Sequence, residues 1–325
     1  MTTTPIVLDN GIYLPEADLW LDARRRRSSS VVSHAHTDHW ARHEMLIATP
    51  ATLDLLRLRW PKAPGYALPY GRPLEREGCR LTLFPAGHCL GSAQVLVEMH
   101  RGEERVVYTG DFKLAPNVAA EPAPVIPCDT LVIDATYGHP RYRFPPTEET
   151  MSEVFTAMDA CLSGGCLPVI IAYAVGKAQE VLKLLVDRGY RVIADPVICR
   201  GASVYEDHGV RLGSVCEAHP GDDLCSAVVI VSRPALAEQF ARERGRVKKI
   251  RLTGWAVDRW RSSWWGDDLA FPFSDHADFD ELLRYAQMAA PQRIFTIGSF
   301  PHLAKELCRR GLNAWHLAEG CAPFL

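Results

Sequence analysis

The stretch Ser33-His34-Ala35-His36-Thr37-Asp38-His39 contains three histidines and one aspartate directly after a run of β-branched residues. Alternate residues of an extended chain project to the same side, so His34 and His36 can face one ion. The turn that follows brings Asp38 and His39 to a neighbouring position. Imidazole and carboxylate ligands together favour zinc or manganese. Because chance clustering of such residues is rare, the stretch predicts a metal centre at a strand end.

Two later turns supply further ligand-type residues, each after a predicted strand. His88 lies in Pro85-Ala86-Gly87-His88-Cys89-Leu90-Gly91-Ser92, and Asp111 lies in Tyr108-Thr109-Gly110-Asp111-Phe112. Either residue alone would be weak evidence, but in series with the first stretch they complete a ligand set. Asp22, which follows Leu19-Trp20-Leu21, is predicted to hydrogen-bond a ligand histidine and hold its tautomer.

The composition is that of a globular protein with a sizeable core. The chain has 325 residues, of which 47% are hydrophobic and 23% charged, and its formal net charge is −3. This charge argues against a polycationic binder, although a nuclease can carry a local basic groove on such a body. The ten cysteines form no CxxC pair, which indicates reduced thiols. The N-terminus lacks a signal-peptide pattern and no apolar run is long enough to span a membrane, so we expect a cytoplasmic protein.

The pattern of elements changes along the chain. Short β-rich runs separated by turns fill the first part, and strands alternating with helices follow from Thr147, which predicts a parallel α/β unit. The last part returns to a histidine-bearing turn, Phe273-Ser274-Asp275-His276-Ala277-Asp278. The predicted organisation is one domain formed by residues 1–146 and 269–325, with an α/β domain inserted at 147–268.

The motif series HxHxDH, AGHxxGS and TGD resembles the metallo-β-lactamase superfamily over the whole N-terminal half. The resemblance implies an α/β fold, an αββα sandwich with the ligands on one rim. It implies that a first metal is held by His34, His36, His88 and Asp111. It further implies that Asp38, His39 and Asp111 contribute to a second, weaker site, with Asp38 also taking part in catalysis. The implied cofactors are Zn2+ and/or Mn2+.

Three further segments resemble the β-CASP nucleases, in which an α/β domain is inserted into the lactamase fold. They are Ile133-Asp134-Ala135-Thr136-Tyr137-Gly138, the stretch 172–180, and the histidine-bearing turn at 273–278. Within that group the sequence is most similar to bacterial ligase-associated DNA exonucleases. The resemblance implies that Asp134 and His276 are catalytic, His276 protonating the leaving oxygen while Asp134 keeps its ring charged. Without the family, Asp134 could be a turn cap and His276 a surface histidine.

One position departs from the ribonuclease members of the group. They carry a third-motif histidine where this chain has Gly298, in Ile297-Gly298-Ser299-Phe300. The departure favours DNA over RNA and predicts an incompletely liganded second metal. His302 is either a substitute ligand or the exposed first turn of a helix.

These features predict a metal-dependent DNA exonuclease that acts on single-stranded ends in DNA repair, in functional association with a DNA ligase system. Two alternatives stay open: a β-CASP ribonuclease that processes RNA ends, and a catalytically inactive scaffold that only binds nucleic acid. Intact ligands argue against the scaffold. Cleavage polarity and oligomeric state do not follow from the sequence.

Substrate contacts are predicted at six residues, namely Ser92, Thr136, Tyr137, Lys177, Trp264 and Trp265. Lys177 begins a predicted helix, where backbone amides and a lysine can bind phosphate, although an ordinary solvated lysine is the alternative. The stretch 251–265 interleaves arginine and tryptophan as single-strand binders do. In the alternative, its first two tryptophans are core residues. The run Arg24 to Arg27 is either a solvated loop or a contact to the substrate backbone.

Overall fold

The computed structural model describes residues 5–219, 222–258 and 266–317. Within these ranges the protein is mixed α/β, with three β-sheets and seven α-helices. The described residues of 1–140 and 276–325 form one compact unit, and those of 141–275 form a second. The boundaries predicted from the sequence for the inserted α/β domain, 147–268, stay predictions. No helix in the described ranges combines the length and apolar character needed to cross a membrane.

The first sheet of unit one has six strands in chain order. They are β1 (Val7–Leu8), β2 (Ile12–Leu14), β3 (Leu19–Leu21), β4 (Ser29–Val31), β5 (Met45–Ala48) and β6 (Gly65–Ala67), with a 3-10 helix at Pro15–Ala17. The strands from β3 to β6 pair in parallel, so each connection must cross over the sheet. The β4–β5 crossover carries the HxHxDH stretch, and the β5–β6 crossover is helix α1 (Pro50–Arg57).

The second sheet of unit one has seven strands in the order β19-β18-β11-β10-β9-β8-β7. They are β7 (Leu74–Arg76), β8 (Cys79–Pro85), β9 (Ala93–Met99), β10 (Arg105–Tyr108), β11 (Thr130–Asp134), β18 (Arg293–Ile297) and β19 (Ala314–His316). β11 pairs in parallel with β10 on one side and with β18 on the other. The chain therefore leaves this sheet after β11 and returns to the adjacent position more than a hundred residues later.

Because side chains alternate along each strand, the two faces of the second sheet belong to two different hydrophobic cores. Val95 and Val97 join a cluster that also contains residues of the first sheet, so the two sheets share one core. Leu96 and Val107 point to the other face, which packs against helices α6 (Phe279–Ala289) and α7 (His302–Arg309). The strand ends, where the metal-type ligands lie, are thereby held by packing on both faces.

Unit two contains the third sheet, in the order β14-β13-β15-β12-β16-β17, all parallel. Its strands are β12 (Leu167–Ile171), β13 (Arg191–Ala194), β14 (Val215–Glu217), β15 (Ala227–Val231), β16 (Val247–Leu252) and β17 (Leu269–Phe271). Its helices are α2 (Thr147–Ser163), α3 (Lys177–Asp187), α4 (Pro196–Asp207) and α5 (Pro234–Arg244), with a 3-10 helix at Gly254–Val257. Central strand β15 is buried throughout, as parallel strands covered on both faces are.

The residue pattern predicts strands at 95–97, 106–108, 131–133 and 167–172, and helices at 147–162, 176–188, 279–290 and 303–310. The structure confirms these eight elements as β9 to β12, α2, α3, α6 and α7, with bounds within two residues. Three helices were not predicted: α1, α4 and α5. Each begins with a proline, and Thr49 and Asp195 cap two of them with their side chains. Proline at the first helical position was the available signal, because its fixed φ suits a helix start and its missing N–H is not needed there.

Candidate metal centre

Three strand ends of unit one bring the predicted first-metal ligands together. His34 and His36 follow β4, His88 follows β8, and Asp111 follows β10. One ligand atom from each of the four lies within 4.8 Å of the others. His88 Nε2 lies 3.2 Å from His36 Nδ1, and His34 Nε2 lies 3.5 Å from Asp111 Oδ2. The group thus offers three imidazoles and one carboxylate to a single point, a donor set that suits zinc or manganese.

The state of His34 fits a metal ligand. Its side chain is fully buried, and its Nε2 has no hydrogen-bond partner within the described residues. Its Nδ1 lies 3.0 Å from Ser33 Oγ, an arrangement that leaves Nε2 as the free ring nitrogen. Burial and the charge of His39 hold the pKa of His34 well below its ordinary value, so the ring is neutral. A neutral ring with an unpartnered buried nitrogen is costly by itself and is what metal binding requires.

Asp22, predicted to hydrogen-bond a ligand histidine, lies beside His39. Its Oδ2 lies 2.8 Å from His39 Nδ1, and His39 Nε2 consequently faces Asp111 Oδ2 at 3.4 Å. The Ser33 amide and hydroxyl donate to Asp22 at 2.7 and 2.5 Å, and the Tyr108 hydroxyl donates at 2.8 Å. Ser33 and Tyr108 were not predicted, although both lie within the quoted motifs. Together these donors fix the carboxylate that orients His39.

Charge coupling sets the protonation of the central residues. Although burial favours the neutral ring, the carboxylates of Asp111 and Asp22 raise the pKa of His39 well above its ordinary value. Burial also opposes ionisation of Asp111, but the charges of His39 and His276 hold its pKa well below the usual range. Asp111 is therefore anionic at neutral pH, the form in which a carboxylate binds metal.

The predicted acid–base pair lies beside the ligand group. Asp134 ends β11, and His276 lies shortly before α6. His276 Nδ1 is 3.5 Å from Asp134 Oδ2, and His276 Nε2 is 3.9 Å from Asp111 Oδ2. Burial and the nearby Asp111 charge raise the pKa of Asp134. The first distance is long for a hydrogen bond, as catalytic pairs often are before substrate binds.

Thr136 and Tyr137, predicted as substrate contacts, contact Asp134 and His276. The Thr136 amide and hydroxyl donate to Asp134 Oδ1 at 3.0 and 2.9 Å. Tyr137 is buried, and its ring meets His276 edge-on at a centroid distance of 5.8 Å. These contacts position Asp134 and His276, and a direct contact with substrate stays a prediction.

Ser92 and Lys177 are buried, which argues against the substrate contacts predicted for them. Ser92 is 1% exposed, and its hydroxyl accepts from the Cys89 amide at 3.2 Å. Lys177 begins α3 as predicted, but it is 2% exposed and its Nζ lies 3.1 Å from Asp275 Oδ1. The lysine charge is therefore neutralised inside unit two. Trp264 and Trp265 lie outside the described residues.

Asp38 is exposed, although the resemblance implies that it helps to bind a second metal. Its side chain is 76% exposed, and its Oδ2 lies 3.9 Å from His39 Nε2. None of the ligand groups found among the described residues includes it. The turn in which the His39 amide donates to the His36 carbonyl at 3.1 Å leaves Asp38 on the solvent side. Its roles in a second metal site and in catalysis stay predictions.

The third-motif position is closed to any side chain. Gly298 has a φ of +132°, and a Cβ there would lie 2.8 Å from the carbonyl carbon and oxygen of Ala135. His302 begins α7, with its ring 4.2 Å centroid to centroid from that of His139. None of the ligand groups in the described ranges contains His302. His302 thus starts a helix as one interpretation predicts, but it is half-buried and its Nδ1 is buried, and its role as a substitute ligand stays a prediction.

The arginine run before β4 is partly engaged within the unit. The Arg27 guanidinium stacks over Trp20 at 3.6 Å and pairs with Asp9 at 3.2 Å. Arg26 pairs with Glu44 at 3.4 Å. Arg24, Arg25 and Arg26 are exposed, whereas Arg27 is half-buried.

No family model matches the chain, but curated relatives do. A protein of Opitutus terrae named "Probable DNA ligase" is 35% identical over 320 residues, which are 97% of this chain and 31% of that protein. The DNA cross-link repair protein SNM1 of Arabidopsis thaliana is 26% identical over 292 residues, 82% of this chain and 60% of that one. The transcription termination factor FttA of Pyrococcus abyssi is 41% identical over 110 residues, 33% and 17% of the two chains. This chain spans only part of each relative. The similarities support a metallo-β-lactamase/β-CASP nuclease family.

Proposed function

We propose that this chain is a metal-dependent DNA exonuclease of the metallo-β-lactamase/β-CASP group, acting on single-stranded ends in cytoplasmic DNA repair. One observation carries the proposal: Asp111 belongs both to the group of three histidines and to the group containing Asp134 and His276. A single carboxylate thereby joins a candidate metal centre to a candidate proton donor. Hydrolysis of a phosphodiester needs both functions at one phosphate.

The first metal, Zn2+ or Mn2+, would be held by His34, His36, His88 and Asp111. When bound, it would supply Lewis acidity at a non-bridging phosphate oxygen and a water of lowered pKa. His39, oriented by Asp22, would contribute to a second site with Asp111. Since Asp38 is 76% exposed and Gly298 has no side chain, that second site is expected to be the weaker.

His276 would protonate the leaving oxygen. Its side chain is 17% exposed, so a substrate can reach the ring, whereas Asp134 is nearly buried behind it. Asp134 faces Nδ1, which directs Nε2 towards Asp111 and the reacting phosphate. A neighbouring carboxylate favours the charged ring, so the proton is available near neutral pH.

Two observations support DNA as the substrate. Gly298 leaves the third-motif position without a histidine, and relatives covering most of this chain are named for DNA ligation and DNA cross-link repair. Similarity to a transcription termination factor over a third of the chain keeps a ribonuclease as the second candidate. The buried, unpartnered His34 Nε2 favours a working centre over an inactive scaffold.

The test is cleavage of end-labelled DNA and RNA oligomers of one sequence, single- and double-stranded, after chelation and after addition of Mn2+, Zn2+ or Mg2+. We expect metal-restored cleavage that is fastest on single-stranded DNA ends. Equal or faster cleavage of RNA would establish the ribonuclease, and binding without cleavage in every metal would establish the scaffold. Because the second site is expected to be weak, mass spectrometry after dialysis should count one retained metal ion. Two retained ions would contradict a weak second site.

A further inference from the structure

A group of aromatic and cationic residues begins directly after His39 in the sequence. We define the stacking patch as Trp40, Arg42 and Trp60. Trp40 follows His39, so their Cα atoms are only about 3.8 Å apart. The Trp40 and Trp60 rings are nearly parallel, at 9°, with centroids 6.3 Å apart. The Arg42 guanidinium carbon lies 5.7 Å from the Trp60 ring centroid.

Both tryptophans are held by segments that also carry candidate ligands. Trp40 lies on the crossover that bears the HxHxDH stretch. Trp60 follows α1, whose first turn is tied to the His88 turn because the Thr49 and Thr52 hydroxyls donate to the Gly91 carbonyl at 2.7 and 2.8 Å. At the other end of α1, the Trp60 amide donates to the Leu56 carbonyl at 3.0 Å. The patch is therefore fixed relative to the ligands.

The charge around the patch is positive and uncompensated. Arg42, Arg59 and Lys62 are exposed, and none makes an ion pair with any residue that the structure describes. Residues 40–62 contain two acidic residues, and both form ion pairs with other arginines: Glu44 pairs with Arg26, and Asp54 pairs with Arg57. Trp40 and Trp60 are both partly exposed as residues, although the Trp40 Nε1 atom is buried. A purely structural tryptophan pair would need neither the exposure nor the surrounding free cations.

We propose that the stacking patch binds unpaired bases of a single-stranded DNA end, while Arg42, Arg59 and Lys62 contact its phosphates. The inference rests on the proposed nuclease function and adds where the strand runs. Flat aromatic side chains interleaved with cations grip single strands without reading sequence, because every base has a face to stack. A strand lying on this patch would pass from the base-binding surface directly to the metal centre.

The experiment compares Trp60→Leu with wild type in binding to a fluorescent oligothymidylate and to an abasic oligomer of equal length, with chelator present to stop cleavage. We expect the variant to bind oligothymidylate about 5- to 100-fold more weakly, the range for losing one stacked base. Its affinity for the abasic strand should change less than about twofold. The matched control is Trp315→Leu, an exposed tryptophan stacked on Phe295, which should change neither affinity.

Unchanged binding, or an equal loss on both oligomers, would overturn the stacking proposal. If Trp60→Leu fails to fold, Arg42→Gln tests the same surface: it should weaken binding to both oligomers and lower the salt dependence, and no change would overturn the proposal. If the wild type cleaves DNA but the variants bind as tightly as the wild type, only the stacking proposal is wrong. If binding depends on the bases and on Trp60 but the protein cleaves nothing, only the proposed nuclease function is wrong.

Discussion

Two aspartate–histidine pairs flank Asp111, and they differ in how firmly they are held. Asp22 and His39 are 2.8 Å apart, whereas Asp134 and His276 are 3.5 Å apart. The two histidine side chains are almost equally exposed, at 15% and 17%. Exposure therefore does not explain the difference.

Hydrogen bonding to the two aspartates explains it. Asp22 receives three donors besides His39, and its Oδ2 is shared by Ser33, Tyr108 and His39. Asp134 receives Thr136 on Oδ1 and leaves Oδ2 to His276. A saturated carboxylate holds a ring in one tautomer, whereas a less constrained one lets the ring move during proton transfer. We therefore expect the Asp22–His39 pair to orient a metal ligand and the Asp134–His276 pair to take part in acid–base chemistry.

The largest effect is expected from removing the residue shared by both pairs. Asp111→Ala, or His36→Ala in the ligand group, should reduce cleavage to background because the metal centre is lost. His100→Ala, an exposed histidine paired with Glu75, is the matched control and should retain full activity. Retention of activity in either ligand variant, or in chelator, would rule out the metallohydrolase mechanism.

Removing the looser pair should slow cleavage without removing metal. His276→Ala and Asp134→Ala should each lower turnover about 10²- to 10⁴-fold, the usual contribution of a general acid–base group. The double variant should be little worse than the worse single variant, because the pair acts as a unit. Single-turnover kinetics and metal counting measure this, and fully multiplicative losses would show that the two residues act separately.

Weakening the firm pair should affect metal affinity instead. Asp22→Asn should lower that affinity about 10- to 100-fold, since it disturbs the orientation of His39. Added metal should restore the rate of this variant but not that of Asp134→Asn. Metal titrations of both variants, followed by activity, compare the two pairs directly. A rate loss in Asp22→Asn that excess metal cannot restore would contradict the division of roles.

The smallest effect on activity is expected from a substitution of Gly298, which lies against the backbone of Ala135, the residue that follows Asp134. Gly298→Ala places a Cβ 2.8 Å from the Ala135 carbonyl and should cost about 1–3 kcal/mol of unfolding free energy. Gly311→Ala has a positive φ of +83° but nothing within 4 Å, so it isolates the backbone cost from the clash. Urea unfolding measures both. Equal destabilisation of the two variants would show that contact with Ala135 is unimportant.

Local sequence was sufficient for the α/β class, for most strands and helices of both units, and for the residues that converge as candidate ligands. The reason is that HxHxDH, the His88 turn and the Asp111 turn each directly follow a strand. Strand periodicity and turn chemistry depend on neighbours only a few residues away. Because β4, β8 and β10 end near one another in the two packed sheets, the local motifs were enough to identify a common site.

Tertiary packing alone decided which polar side chains are accessible and which are paired. Asp38 faces solvent, whereas Ser92 and Lys177 are buried with partners. The stacking of Trp40 on Trp60 joins residues twenty positions apart, and no motif marks it. Burial and long-range contacts depend on how the sheets, α1 and the crossovers pack together, and that information is spread over the whole chain instead of residing in any one stretch of it.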